Sequence, residues 1–229
     1  MPMVMVLSLA VAVLSAPLPR MPDSKDTDKR LQEAANVIRE IMSSPDKGIP
    51  QDLLDKAACV VVIPSVKKGA FVVGAKYGRG FIVCRKPKTG WSAPAGVRVE
   101  GGSVGFQIGA SETDVIMLVM NSAAIDKLLS SKFTIGADAS ATAGPVGRTA
   151  SAATDVQLRA QLLTYSRARG LFAGVSLEGA TLRPDDDANK DLYGKEMSNK
   201  DVVMGTVAAP RAADVLLAEL NRLSSKRQG

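Results

Sequence analysis

Apolar positions change their spacing along this chain. Leu31, Ala34, Ala35, Ile38, Ile41 and Met42 recur three and four residues apart, which is one stripe of a helix. Asp26, Thr27 or Asp28 can cap its start, and Ser43-Ser44-Pro45 ends it. Pro50 opens a second short helix through Leu53, Leu54 and Ala57. From Cys59 to Gly109 the pattern becomes short β-branched and aromatic runs broken by glycines. That predicts strands at roughly 58–63, 70–76, 80–85, 97–99 and 103–109. Lys67-Lys68-Gly69, Tyr77-Gly78-Arg79-Gly80 and Pro87-Lys88-Thr89-Gly90 read as turns between them.

Beyond the meander, Asp114–Met120 predicts an apolar strand and Ser122 caps a helix. Phe133 starts another strand, and residues 137–154, mostly Ala, Ser, Thr and Gly, predict a thin strand and a loop. Leu158–Ser166 and Leu171–Leu177 predict a hairpin turning at Arg167-Ala168-Arg169-Gly170. A short strand or extended segment is expected at 201–207, then a final helix from Pro210 to about Ser224 with Val215 or Leu216, Leu217, Leu220 and Leu223 on one face. Repeated strands with helices at both ends predict an α+β fold. The expectation is a single domain over residues 27–225: an antiparallel, curled or barrel-like sheet with N-terminal and C-terminal amphipathic helices.

Residues 1–15 read as an export signal and 16–26 as a linker. The apolar run Val4–Leu14 is short of the ~20 residues that span a membrane. Val13-x-Ser15 before Ala16 is an acceptable cleavage pattern, although no Lys or Arg precedes Arg20. The expected location is periplasmic or extracellular, with peripheral membrane association.

Charge narrows the picture. The net charge is +6, and the stretch from Cys59 to Gly109 carries eight bases against the single acid Glu100. A basic region built into the sheet points to acidic partners. Histidine is absent, which removes His-based triads and the usual zinc sites. Cys59 and Cys84 lie in strand-like runs and fit either two buried thiols or a disulfide. The segment from Asp185 to Glu196 resembles a calcium loop, but Lys190 stands where such a loop needs Gly. Ser65-x-x-Lys68 lies in a turn rather than at a helix start, so it does not make a Ser–Lys nucleophile. No catalytic residue, metal or cofactor is expected. Phe71, Tyr77 and Phe81 alternate with β-branched residues and read as core, so nucleic acid is not the expected partner. Trp91 differs: it follows a turn beside Lys86 and Lys88, where an interfacial tryptophan would sit.

Several blocks together resemble the SYLF domain family. They are Ala58–Pro64, Gly80–Arg85, Gly90-Trp91-Ser92-Ala93-Pro94, Gly105–Gly109, Gly144–Arg148, and above all Tyr165–Gly179, followed by Asn189 and Tyr193-Gly194. The resemblance spans about residues 31–205. It implies a lipid-binding module: eukaryotic relatives bind phosphoinositide membranes and actin, and bacterial ones occur as exported single-domain proteins. The combined expectation is a non-enzymatic domain that binds anionic lipid, with Lys67, Lys68, Lys86 and Lys88 attracting the membrane and Trp91 anchoring in it. The alternative is a protein-interaction or scaffold module of the cell envelope, with actin-type binding if the eukaryotic role carries over. A third reading is a carrier whose half-closed sheet holds an acyl chain.

Overall fold

The computed structural model describes residues 24–43, 48–70, 73–88, 90–104, 109–147, 160–168, 171–175 and 177–225. The expected export signal (1–15) and most of the linker (16–26) lie outside them. Helix α1 (Ser24–Met42) and the short α2 (Gln51–Lys56) lead into four long strands: β1 (Cys59–Ala70), β2 (Val73–Cys84), β3 (Ala95–Val104) and β4 (Gly109–Val119). Helix α3 (Ser122–Leu128) follows, with Asn121 rather than Ser122 as its cap. Then come β5 (Phe133–Thr134), β6 (Ala141–Ala143), β7 (Leu162–Ala168), β8 (Leu171–Gly174) and β9 (Thr181–Pro184). The chain closes with α4 (Asp186–Tyr193), α5 (Asn199–Met204), a 3-10 turn (Arg211–Ala213) and α6 (Asp214–Leu223).

The expected α+β single domain is what forms. The strands make one sheet in the order β5-β9-β3-β2-β1-β4-β7-β6, with β8 also pairing β7. The connection between its two edges shows why it curls. Seven inter-strand steps would separate β5 from β6 by about 34 Å in a flat sheet. Only six residues join Thr134 to Ala141, and Ile135 bridges to Ala139 on the way. That path spans at most about 16 Å. The edges are therefore drawn towards one another, and the sheet is a curled, open half-barrel.

Two apolar layers result. The inner face buries Cys59, Val61, Ile63, Ile82, Val97 and Met117 against Phe133, Ile135, Leu177 and Leu182. The outer face buries Val60, Val62, Phe81, Ile116, Leu118 and Tyr165 under α1, α2 and α6. Leu31, Ala34, Ala35, Ile38 and Ile41 of α1 are all buried, so the stripe legible in the sequence is a core face. Each Leu or Ile buried this way contributes roughly 1.5–3 kcal/mol.

Several expected turns are strand. β1 runs through Lys67 and Lys68, and β2 runs through Tyr77-Gly78-Arg79-Gly80. The glycine at 80 is there for clearance: a Cβ would lie 2.0 Å from the Val62 carbonyl oxygen. Gly144 likewise leaves room for the buried Tyr165 ring, whose Cζ would stand 2.1 Å from an added Cβ. In β1 a bulge falls between Ile63 and Val66. Ser65 there has φ 53°, and its N–H donates to Asp114 Oδ1 at 3.0 Å. The bulge reverses the alternation, so Val66 faces inward and Lys67 outward. The expected strand at 201–207 is instead α5, started by Ser198, whose hydroxyl accepts from the Asp201 N–H at 3.1 Å. The calcium-like segment is α4, with Asp185 as its cap. Among the described residues no group of ligands could hold a metal ion, and no helix is long and apolar enough to cross a membrane.

Candidate functional site

Register decides which basic residues meet. Lys67 pairs with Tyr77 across β1–β2, and Lys68 pairs with Lys76. On the other side of β1, Lys67 pairs with Glu112 and Lys68 with Ser111. Directly opposed residues share a face, so Lys67 and Tyr77 lie on the outer face, and Lys68 and Lys76 on the inner one. Lys67 is exposed, Lys68 and Lys76 are half-buried, and Tyr77 is 48% exposed. Lys86 and Lys88 are exposed beyond the far end of β2. Ten residues of extended chain, about 33 Å, separate Lys76 from Lys86. The four lysines grouped by sequence are thus two pairs at opposite ends of one hairpin. Lys76, which sequence reading counted only towards net charge, joins the first pair; the only signal for that was a register the sequence does not print.

The three arginines of the meander are committed within the fold. Arg79 forms a two-pronged pair with Asp185, its Nη2 donating to Oδ1 at 2.6 Å and its Nε to Oδ2. The bond to Asp185 raises the Arg79 pKa. Arg30 of α1 lies nearby; burial, and then the charge of Arg79, lower its pKa. Arg98 bonds to Glu100 at 2.8 Å. Arg85 donates to Ala57 O, Leu54 O and Ser224 O at 2.9–3.0 Å.

Trp91 corrects the sequence expectation of an interfacial anchor. It is only 3% exposed, and its Nε1 donates to Ser224 O at 2.9 Å. A buried indole N–H needs an acceptor, and the end of α6 has carbonyls that the helix leaves unpaired. Trp91 fastens the C-terminal helix and does not reach a membrane. Asn189 is also structural: it accepts from the Gly96 N–H at 2.7 Å and donates to Asn199 Oδ1 at 2.7 Å, holding α4 and α5 to β3.

A cleft of about 580 Å³ opens beside α4 and α5, lined by Asp186, Lys195, Glu196, Met197, Ser198 and Asp201. It is acidic on balance, so it does not extend the lysine surface. Ser65 and Lys68 lie along a bulged strand rather than on a helix start, so the S-x-x-K spacing lacks the geometry that would activate a serine.

Comparison with known proteins agrees with the long motifs. The family described as "Ysc84: Las17-binding protein actin regulator" matches residues 100–223. The chain is 31% identical over 201 residues to SH3 domain-containing YSC84-like protein 1 of Rattus norvegicus, covering 85% of this chain and 59% of that protein. It is 39% identical over 176 residues to SH3 domain-containing protein PJ696.02 of Schizosaccharomyces pombe, covering 76% of this chain and 41% of that one. Against Protein YSC84 of Saccharomyces cerevisiae it is 32% identical over 214 residues, covering 89% and 44%. The chain thus spans about 40–60% of the length of these relatives. Matched over more than half its length by that family, the chain belongs to the Ysc84 family, the SYLF family its motifs resemble.

Proposed function

We propose that this chain is a non-enzymatic lipid-binding domain that associates peripherally with anionic membranes through the basic end of the β1–β2 hairpin. One observation carries the reading: β1 and β2 bring Lys67, Lys68 and Lys76 into adjacent register positions beside the exposed Tyr77. Each lysine near an anionic surface contributes about 1 kcal/mol. Lys86 and Lys88, at the other end, cannot join the same flat contact. The reading includes export, supported by the disulfide between Cys59 and Cys84, a bond kept in oxidising compartments.

The test is co-sedimentation with phosphatidylserine-containing and pure phosphatidylcholine vesicles at two salt concentrations. Binding to the anionic vesicles that weakens with salt is expected, and Lys67→Glu with Lys76→Glu should lose it while Lys86→Glu with Lys88→Glu retains it. Equal binding to both vesicle types, or none to either, would sink the reading.

A second reading follows from the family description, which names a protein partner and actin regulation. On it the same lysine surface meets an acidic protein instead of lipid. Co-sedimentation with purified filamentous actin in lipid-free buffer, abolished by the same Lys67 and Lys76 substitutions, would favour it.

A further inference from the structure

We infer that Asp114 is a positioning residue for the lysine surface: its carboxylate holds Ser65 in the left-handed conformation of the β1 bulge, and so fixes the face to which Lys67 points. The inference rests on the lipid-binding reading above for its function, but the register it concerns can be measured without lipid.

The bulge is a one-residue insertion on both sides of β1. From Val62 to Lys67 the strand takes one step more than β2 takes from Phe81 to Tyr77. From Ile63 to Val66 it takes one step more than β4 takes from Val115 to Thr113. The extra residue falls at Pro64-Ser65, opposite Asp114.

This irregularity sets the lysine faces. Before it, Cys59, Val61 and Ile63 face the inner layer, and Val60 and Val62 face the outer one. Unbroken alternation would pair Val66 with Tyr77 on the outer face and Lys67 with Lys76 on the inner one. The extra residue instead keeps Val66 in the inner layer, turns Lys67 outward to Tyr77, and sets Lys68 beside Lys76.

Each neighbour of the bulge serves it. Pro64 has no N–H to place. Ser65, with φ 53°, is the only non-glycine residue with positive φ among the described residues. An L side chain disfavours that conformation. Its N–H goes to Asp114 Oδ1 at 3.0 Å rather than to a strand carbonyl. Ile63 and Val66 now stand on one face, and a Cβ at Gly78 would lie 2.9 and 2.8 Å from their Cγ2 atoms.

The carboxylate is itself held. Asp114 Oδ2 accepts from Arg167 Nε at 2.6 Å, and Arg167 also pairs with Glu40 of α1. The next outward positions of β4, Ile116 and Leu118, are buried and apolar. A carboxyl in that row is costly to ionise: burial raises the Asp114 pKa, and the Ser65 N–H works against the rise. What the ionised group does there is bind the backbone of the bulge.

Charge separates this role from a direct one. Asp114 is an acid beside a basic surface. If it acts by charge alone, removing it strengthens attraction to anionic vesicles. If it acts by position, removing it weakens binding, because lysines without a fixed register must be ordered on contact.

The experiment uses the full chain as parent, Asp114→Ala, Ser65→Gly and the two substitutions together. Backbone nuclear Overhauser contacts between positions 67 and 77, and amide exchange over residues 66–70, report the register. Asp114→Ala should lose that contact and exchange about tenfold faster there. It should bind phosphatidylserine vesicles about threefold more weakly, despite the lost acid. Glycine adopts the required φ freely. The double variant should therefore recover the contact and the slow exchange, and bind at least as tightly as the parent. Ser65→Gly alone should match the parent. An Asp114→Ala protein that keeps the contact and the slow exchange overturns the inference, as does one that loses them and binds more tightly. A double variant that stays out of register, or does not fold, also overturns it. A parent that binds no vesicle overturns the lipid reading, and the contact and exchange data still decide whether Asp114 sets the register.

Discussion

Arg85 and Trp91 converge on one carbonyl oxygen. The guanidinium lies 4.2 Å from the centre of the indole ring, and Arg85 Nη1 and Trp91 Nε1 both donate to Ser224 O at 2.9 Å. Ser224 directly follows the last residue of α6, where helical carbonyls lack partners. Two conspicuous residues of the basic meander thus hold the C-terminal helix against the sheet rather than face an outside ligand.

Trp91→Phe removes the donor and leaves a smaller aromatic ring. The expected cost is about 1–3 kcal/mol of stability, since a buried acceptor loses one of its two donors. Chemical denaturation followed by circular dichroism measures this. Vesicle binding by the folded variant should match that of the parent.

Gly80→Ala forces a Cβ to within 2.0 Å of the Val62 carbonyl oxygen, in the most central pair of strands. Backbone cannot yield as a flexible side chain can, so a loss of about 3 kcal/mol is expected. A denaturation midpoint equal to that of the parent would show that β1 and β2 are not packed this closely.

Cys59 and Cys84 face each other as register partners and are disulfide-bonded, 25 residues apart in sequence. Closing a loop of that length in the unfolded chain is worth about 3–4 kcal/mol. Replacing both by Ala should lower stability by that order. Adding a reductant should then change the parent's denaturation midpoint and leave the variant's unchanged.

Glu219 is buried at the join of α6 and α1. The Arg222 hydrogen bond, 2.6 Å from Nη2 to Oε1, holds its carboxyl below the usual value of 4.5, and Arg39 adds to this. A carboxyl with a depressed folded pKa stabilises fully above the unfolded value and loses that contribution as pH falls through the folded one. Stability of the parent should therefore drop below about pH 4.5. Glu219→Gln should be less stable at pH 7 and show a flatter acid limb. Melts from pH 3 to 7 decide it; parallel curves would mean that Glu219 carries no linkage.

What the sequence determined by itself was whatever depends on near neighbours. The Leu31–Met42 stripe is a buried helix face, the C-terminal helix sits where Pro210 and its leucines place it, and alternating β-branched runs are strands. The motifs around Tyr165 carried the family. Local signals also misled: lysine and glycine pairs read as turns became continuous strand, because Gly80 answers to the clearance of a neighbouring strand. Val202 and Val203 favoured a strand, but the Ser198 cap and their burial made a helix.

Tertiary structure alone decided the site. Whether Lys68 meets Lys76, and whether Lys86 lies with Lys76 or about 33 Å away, depend on register and on one bulge at Ser65. Trp91 shows the same limit. Beside lysines in sequence it looks like a surface anchor, yet its partner, Ser224, lies 133 positions along the chain. Side-chain spacing reports the local period of the backbone, whereas long-range pairing reflects how the whole core closes, and that information is shared among residues too far apart for any pattern to display.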